Sequence, residues 1–89
     1  MEIQYRKLFL KDLKRLKGQP VHRQAINLVF TTLPEAKKLK DIANVKAMKG
    51  YPHRYRIRIG NYRVGVEVHG DAVEVMRVLH RREFYRYFP

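Results

Sequence analysis

The stretch RYRIRIGNYRVGVE, residues 54–67, decides the fold. Tyr55, Ile57 and Ile59 alternate with Arg54, Arg56 and Arg58, the period of two that marks a strand with one buried face. Gly60-Asn61 reads as a two-residue turn, of type II′ with glycine at the first central position. That turn opposes Ile59 to Tyr62, Arg58 to Arg63, Ile57 to Val64 and Tyr55 to Val66. Every apolar residue of one strand then meets an apolar residue of the other. Arg54, Arg56, Arg58, Arg63 and Glu67 gather on the opposite face. Packing gives no reason to collect arginines there, and like charges directly opposed are unfavourable. A polyanion laid across that face would remove the conflict.

Downstream, Gly70-Asp71 is a second tight turn, and a third strand is expected over about Ala72–Leu79. A two-residue turn opposes Glu67 to Glu74, Gly65 to Met76 and Arg63 to Val78. The facing glutamates need cations, and Arg54 and Arg56 are placed to supply them. The same period carries His80 toward the arginine face. The basic, aromatic tail HRREFYRYFP has no clear secondary structure on this reading.

Upstream, Met1–Tyr5 is a short candidate strand. Phe9, Leu10, Leu13 and Leu16 follow at helical spacing, with Lys7, Lys11, Lys14 and Arg15 around them. Gly18 and Pro20 break this helix. Pro20 opens a second one with Val21, Ala25, Leu28 and Val29 as its apolar stripe, ended by Thr31, Thr32 and Pro34. Residues 35–53 read either as a helix through Leu39, Ile42, Val45 and Met48 or as a loop with short irregular pieces, given Gly50 and Pro52. The expected order is β-α-α-β-β-β. This is an α+β fold in which two N-terminal helices pack on the apolar face of a meander sheet and leave the arginine face open. Residues 1–89 form one domain, with no linker, internal repeat or low-complexity segment.

Composition narrows the function. Twenty Lys+Arg against eight Asp+Glu give a formal charge of +12 and a pI near 10.4, which points to a nucleic acid, an anionic surface or an acidic protein partner. The two cations are segregated. All nine lysines lie at or before Lys49, whereas eight of eleven arginines follow it, which locates the working surface in the second half. With zero cysteines there are no disulfides, no thiolate metal sites and no cysteine nucleophile. No apolar run is long enough for a membrane span, and MEIQYRKLFLKDLKRLK lacks the layout of a secretory signal, so a cytoplasmic protein is expected.

Arg56, Arg58 and Arg63, with Arg81 and Tyr85 just past the third strand, form the candidate site. Negative charge builds on a phosphodiester's nonbridging oxygens as a nucleophile attacks, and clustered cations stabilise it. A group must also take a proton from the attacking hydroxyl and another must protonate the leaving oxygen. His80 is the histidine placed for such work; Glu67 is a possible base or an ion-pair partner of Arg54. Arg54, Arg82, Arg86 and Tyr87 are expected to extend this surface for binding a nucleic acid. An exposed ring beside cations adds stacking of roughly 1–3 kcal/mol per unpaired base. Tyr5, Tyr51, Tyr55, Tyr62 and Tyr87, with Phe84 and Phe88, are expected in the main to be packing residues, although Tyr51, in a loop, could instead stack on a base. His22, His53 and His69 suggest no metal site. No metal or small-molecule cofactor is expected.

The segments YRIRIGNYRVGVEV and VMRVLHRREFY, with the early FLKDLKRL helix, resemble the RelE/ParE toxin superfamily of type II toxin–antitoxin systems over nearly the whole chain. The resemblance implies a curved antiparallel sheet with two helices on one side. RelE-type members are metal-independent endoribonucleases that cut mRNA in the ribosomal A site, beside 16S rRNA, by attack of a 2′-hydroxyl on the adjacent phosphate. By motif, Arg56 and Arg58 fall at the two basic sheet positions, Arg63 at the arginine of the next strand and Arg81 at the arginine after the third. Tyr85 matches the tyrosine that stacks on the substrate base, with Tyr87 as fallback. Lysines stand at the first two positions in the best-known RelE. Arginine effectively cannot lose its proton, so Arg56 and Arg58 would clamp phosphate, and His80, then Glu67, would be the base. The alternative is the ParE branch, which shares the fold and acts on DNA gyrase without cutting RNA. Either branch implies a cognate antitoxin that covers the basic face, in a toxin–antitoxin hetero-oligomer.

Overall fold

The computed structural model describes residues 1–88. Strand β1 (Glu2–Tyr5) leads into helix α1 (Lys7–Arg15). Helix α2 (Pro20–Asn27), with Pro20 in its first turn, runs through a π-helical turn at Leu28–Thr32 into a last turn, α3 (Leu33–Glu35). The helix therefore outlasts the expected stop at Thr31, Thr32 and Pro34. Pro34 lacks the amide that an unbroken α-helix would use, and the chain widens just ahead of it instead of breaking. A 3₁₀ turn at Leu39–Asp41 and a three-residue strand, β2 (Val45–Ala47), follow. They favour the reading of residues 35–53 as irregular pieces over the helical one.

Strands β3 (Arg54–Ile59), β4 (Tyr62–His69) and β5 (Ala72–His80) form the meander. The β3–β4 register is the expected one from Ile59↔Tyr62 to Arg54↔Glu67. Gly60 has φ of 62° and Asn61 lies outside the left-handed region, as a II′ turn requires. The sheet has five strands in the order β1-β5-β4-β3-β2 and is mixed rather than wholly antiparallel, because β1 runs parallel to β5.

Three expectations for the second half need correction. First, a β-bulge at Gly65/Val66 shifts the β4–β5 register. Glu67 faces Glu74 as expected, but Gly65 meets Arg77 and Arg63 meets Leu79, with Met76 as the extra residue. Because side chains alternate with period two, one inserted residue reverses the faces of all that follow. His80 thus pairs with Tyr62, on the side away from Arg63. Second, the arginine face is not fully open. The tail forms helix α4 (Arg81–Tyr87), which folds back over the sheet. Phe84 on the helix and Phe88 just past its end bury with Met48 and Met76 in a second small core. Gly65 admits this packing: a Cβ there would lie 2.7 Å from two Phe88 ring carbons. Third, Arg56 does not neutralise the facing glutamates. Arg54 pairs with Glu67 at 2.7 Å, Arg6 pairs with Glu74 at 2.8 Å, and His69 bridges both carboxylates at 3.0 and 3.1 Å.

The main core lies between the helices and the other sheet face, around Phe9, Leu13, Ala25, Val29, Leu33, Ile57, Val64, Val66, Val75 and Val78. Tyr55 and Tyr62 pack against it, as expected. Where β1 ends, the uncovered edge of β5 is taken over by Asp12 of α1. Its buried carboxylate accepts from Arg77 Nε at 2.7 Å, from a second Arg77 nitrogen at 3.0 Å and from the Val78 amide at 3.2 Å. The hydrogen bond that Arg77 donates to Asp12 raises its pKa, fixing its charge. No helix among the described residues is long and apolar enough to cross a membrane.

Candidate functional site

Arg58 and Arg63 flank the Gly60-Asn61 turn, and the backbone of Arg81 is tied to it. Arg58 and Arg63 are cross-strand partners on one face. Arg63 reaches back along the turn and donates to the carbonyls of Gly60 and Tyr62, both at 3.0 Å. Its Nε is buried with no partner among the described residues, so part of its donor capacity is unspent. The Arg81 amide donates to the Asn61 carbonyl at 2.8 Å, which anchors the start of α4 to the same turn. Arg58 and Arg81 are exposed. The like charges of the cross-strand pair Arg58 and Arg63 repel unless an anion sits between them. Such a cluster suits the equatorial oxygens of a phosphate under attack.

Beside the cluster runs a groove of about 360 Å³ between α4 and the β2–β3 region. Arg56 lies in it next to its cross-strand partner Lys46, with Ala47, Met48, Lys49, Tyr51 and Tyr85 completing the lining. On α4, Arg81 and Tyr85 are one turn apart, so the helix presents both along one face. Lys46, Lys49 and Tyr51 were missed or given little weight in the sequence. The signal available was Lys46 between Val45 and Ala47, too short a run to stand as a strand.

The remaining candidates fall elsewhere. Arg54 lies at the far end of β3, bonded to Glu67 and over the rings of Phe88 and Tyr51 at 5.1 and 5.6 Å. Arg82 and Arg86 are exposed on α4. Tyr87 is exposed but lies against Arg77, 5.8 Å from its guanidinium, rather than in the groove with Tyr85. His80 caps α4: its Nδ1 accepts from the Arg82 amide at 3.1 Å and its ring meets Tyr62 edge-on at 5.2 Å. With Nδ1 accepting, the neutral ring carries its proton on Nε2, where it can donate but not accept. Glu67 is engaged by Arg54 and His69. Glu67, His69 and Glu74 bring three ligand atoms within 4.8 Å of one another, but Arg54 and Arg6 beside them oppose a divalent cation. Arg6, first by its hydrogen bond, holds the Glu74 carboxyl below the usual range, with His69 adding to the effect.

The protein thus combines a basic sheet face, arginines beside a hairpin turn and a covering C-terminal helix with an exposed tyrosine. The chain belongs to the family described as ParE toxin of type II toxin–antitoxin system, parDE, whose pattern it matches over residues 3–85, and hence to the RelE/ParE toxin superfamily. It is a toxin of a type II toxin–antitoxin system. It is 43% identical over 90 residues to Toxin RelE3 of Methanocaldococcus jannaschii, covering 100% of both chains. It is 33% identical over 82 residues to Putative toxin RelE1 of the same organism, covering 91% of this chain and 89% of the other. The fold superposes on a chain of the RelB-RelE antitoxin-toxin complex from Methanococcus jannaschii with a TM-score of 0.78 and 42% identity, covering 97% and 99%.

Proposed function

We propose that this toxin is a RelE-like endoribonuclease that cuts mRNA on the ribosome, in the cytoplasm, and stops translation. The observation that carries the reading is the Arg58–Arg63 pair beside a turn to which the backbone of Arg81 is anchored, together with a groove lined by Arg56 and the exposed Tyr85 ring. Tyr85 stacks on an unpaired base and so sets the strand in place. The 2′-hydroxyl attacks the adjacent phosphorus, the bond to the 5′-oxygen breaks, and a cyclic phosphate and a 5′-hydroxyl result. The arginines hold the phosphate and stabilise the charge that grows on its nonbridging oxygens. They stay protonated throughout. His80 is committed to capping α4 and Glu67 to Arg54, so in this reading water carries the protons, and positioning with electrostatic stabilisation supplies the rate. No metal or cofactor is invoked. A cognate antitoxin, acidic or amphipathic and ordered on binding, covers the basic face and forms the inactive hetero-oligomer.

A second reading is favoured by one observation: no group among the described residues of the arginine cluster is placed to accept a proton. A face built for binding alone would suit a ParE-like toxin that holds DNA gyrase. Primer extension on mRNA in a translating extract separates the two, with wild type and Arg81→Ala side by side. New 5′ ends inside codons, reduced about 10²–10³-fold by the substitution and absent without ribosomes, are expected. Intact mRNA with accumulating gyrase–DNA complexes would refute the nuclease reading. Toxicity in cells lacking antitoxin should disappear in Arg63→Ala and Arg81→Ala while circular dichroism stays native.

A further inference from the structure

We infer that the groove between α4 and the β2–β3 loop is a clamp for one unpaired RNA nucleotide, with Tyr51 as a second base-stacking ring that joins Tyr85 from a different element. The inference rests on RNA being the ligand and adds a residue that the cleavage reading does not use. Tyr51 comes from the loop before β3 and Tyr85 from α4, yet both line the same groove. Tyr51 is 41% and Tyr85 54% exposed, so both side chains are accessible to a ligand.

Both rings are also braced from behind. The Arg54 guanidinium lies 5.6 Å from the Tyr51 centroid and is itself fixed by Glu67 at 2.7 Å. Tyr85 stands edge-on to Phe84 at 5.0 Å, and Phe84 is wholly buried. A ring already held loses little freedom when a base stacks on it, so more of the stacking energy appears as affinity. In the same groove, Lys46, Lys49 and Arg56 offer three cations to the backbone phosphates, and Met48 adds an apolar contact. A volume of about 360 Å³ sits at the small end of ligand sites, the scale of a single nucleotide rather than a helix. A paired base keeps both its faces in the duplex stack, so the clamp selects single strands.

The probe is a short single-stranded RNA, 2′-O-methylated to block attack, with 2-aminopurine at one position at a time, titrated at one fixed salt concentration. Binding to wild type quenches the fluorescence at one position. Tyr51→Ala weakens affinity by roughly five- to 150-fold and removes the quenching. Tyr51→Leu, which keeps bulk but has no π face, behaves like Tyr51→Ala, and Tyr51→Phe restores binding. The same sequence as a duplex is not quenched. Wild-type affinity and quenching in Tyr51→Ala would overturn the inference, as would no quenching in wild type or equal quenching of the duplex. If Tyr51-dependent quenching occurs but mRNA stays intact in the extract, the clamp stands and the nuclease reading falls. If Arg81-dependent cleavage proceeds and Tyr51→Ala binds as wild type does, only the clamp falls.

Discussion

Gly65→Ala should loosen the C-terminal helix through a single contact. The new Cβ would lie 2.7 Å from Phe88 Cδ2 and Cε2 and 2.8 Å from Cγ. Carbon atoms rest at about 3.5–4.0 Å, so the ring must retreat by roughly 1 Å. It has nowhere to go inward. Phe88 is 2% exposed, with Phe84 at 5.2 Å and the Arg54 guanidinium over its face. Overpacking of this kind costs about 1–3 kcal/mol. The upper end is capped, because lifting the last turn of α4 forfeits only the burial of one large apolar side chain, about 3 kcal/mol. At about 4–8 °C per kcal/mol for a domain of this size, thermal unfolding should shift down by roughly 5–20 °C. The decisive control repeats the substitution in a Phe88→Ala background. Gly65 has no left-handed φ, so once the ring is gone Gly65→Ala should be neutral or stabilising by about 0.4–1 kcal/mol. An equal loss in both backgrounds would refute the argument, since the cost would then not belong to Phe88. In the functional assay, Gly65→Ala should also lower cleavage, because Tyr85 rides on the displaced helix.

Asp12→Ala should cost about 3–5 kcal/mol in urea unfolding, because it strands the Arg77 guanidinium and the Val78 amide at a site where Asp12 is 4% exposed; a loss below about 1 kcal/mol would contradict this. Glu74 has a folded pKa below its ordinary 4.5, so its contribution is complete above that value and fades as pH falls through the lowered one. The stability gap between wild type and Glu74→Gln should therefore be flat above about pH 5 and close in acid, and a gap that persists at acid pH would rule the ion pair out. His80→Ala should remove a cap worth about 1 kcal/mol, and His80→Asn should restore it while keeping most of the cleavage. A loss beyond about 100-fold in a folded His80→Asn protein would instead make His80 a proton carrier.

The β3–β4 hairpin was legible because alternation, turn chemistry and cross-strand pairing all name the same register. The bulge was not. In VEVMRVLH, Met76 is as apolar as the valines around it, so nothing in the pattern shows which of Val75 and Met76 breaks the alternation. Missing that one residue put His80 on the wrong face and left Arg77 without its partner Asp12. Helix α4 did leave a trace, since Phe84 and Phe88 are at helical spacing, but a seven-residue helix has too few turns for its period to stand out. The partners of the facing glutamates depended on β1 lying beside β5, a long-range choice that no local window encodes. The shared sheet face of Arg56, Arg58 and Arg63 was readable from the alternation, whereas Lys46, Lys49 and Tyr51 joined the groove only through the packing of a loop against α4.

The parallel pairing of β1 with β5 also sets the order in which this toxin becomes dangerous during its own synthesis. Glu2 pairs with Ala72 and Tyr5 with Val75, so the first strand made waits for nearly the last before its edge is satisfied. Long-range pairing of this kind forms late, and ribosomes deliver the N-terminal segments first. A nascent chain that has emerged only through β4 already displays the arginines of β3 and β4. It has neither the strand that flanks them nor the helix that brings Arg81 and Tyr85. A fragment ending at Asp71 should accordingly show an unfolded far-ultraviolet spectrum and no toxicity. The cell is thereby given an interval in which the chain exists but the weapon does not.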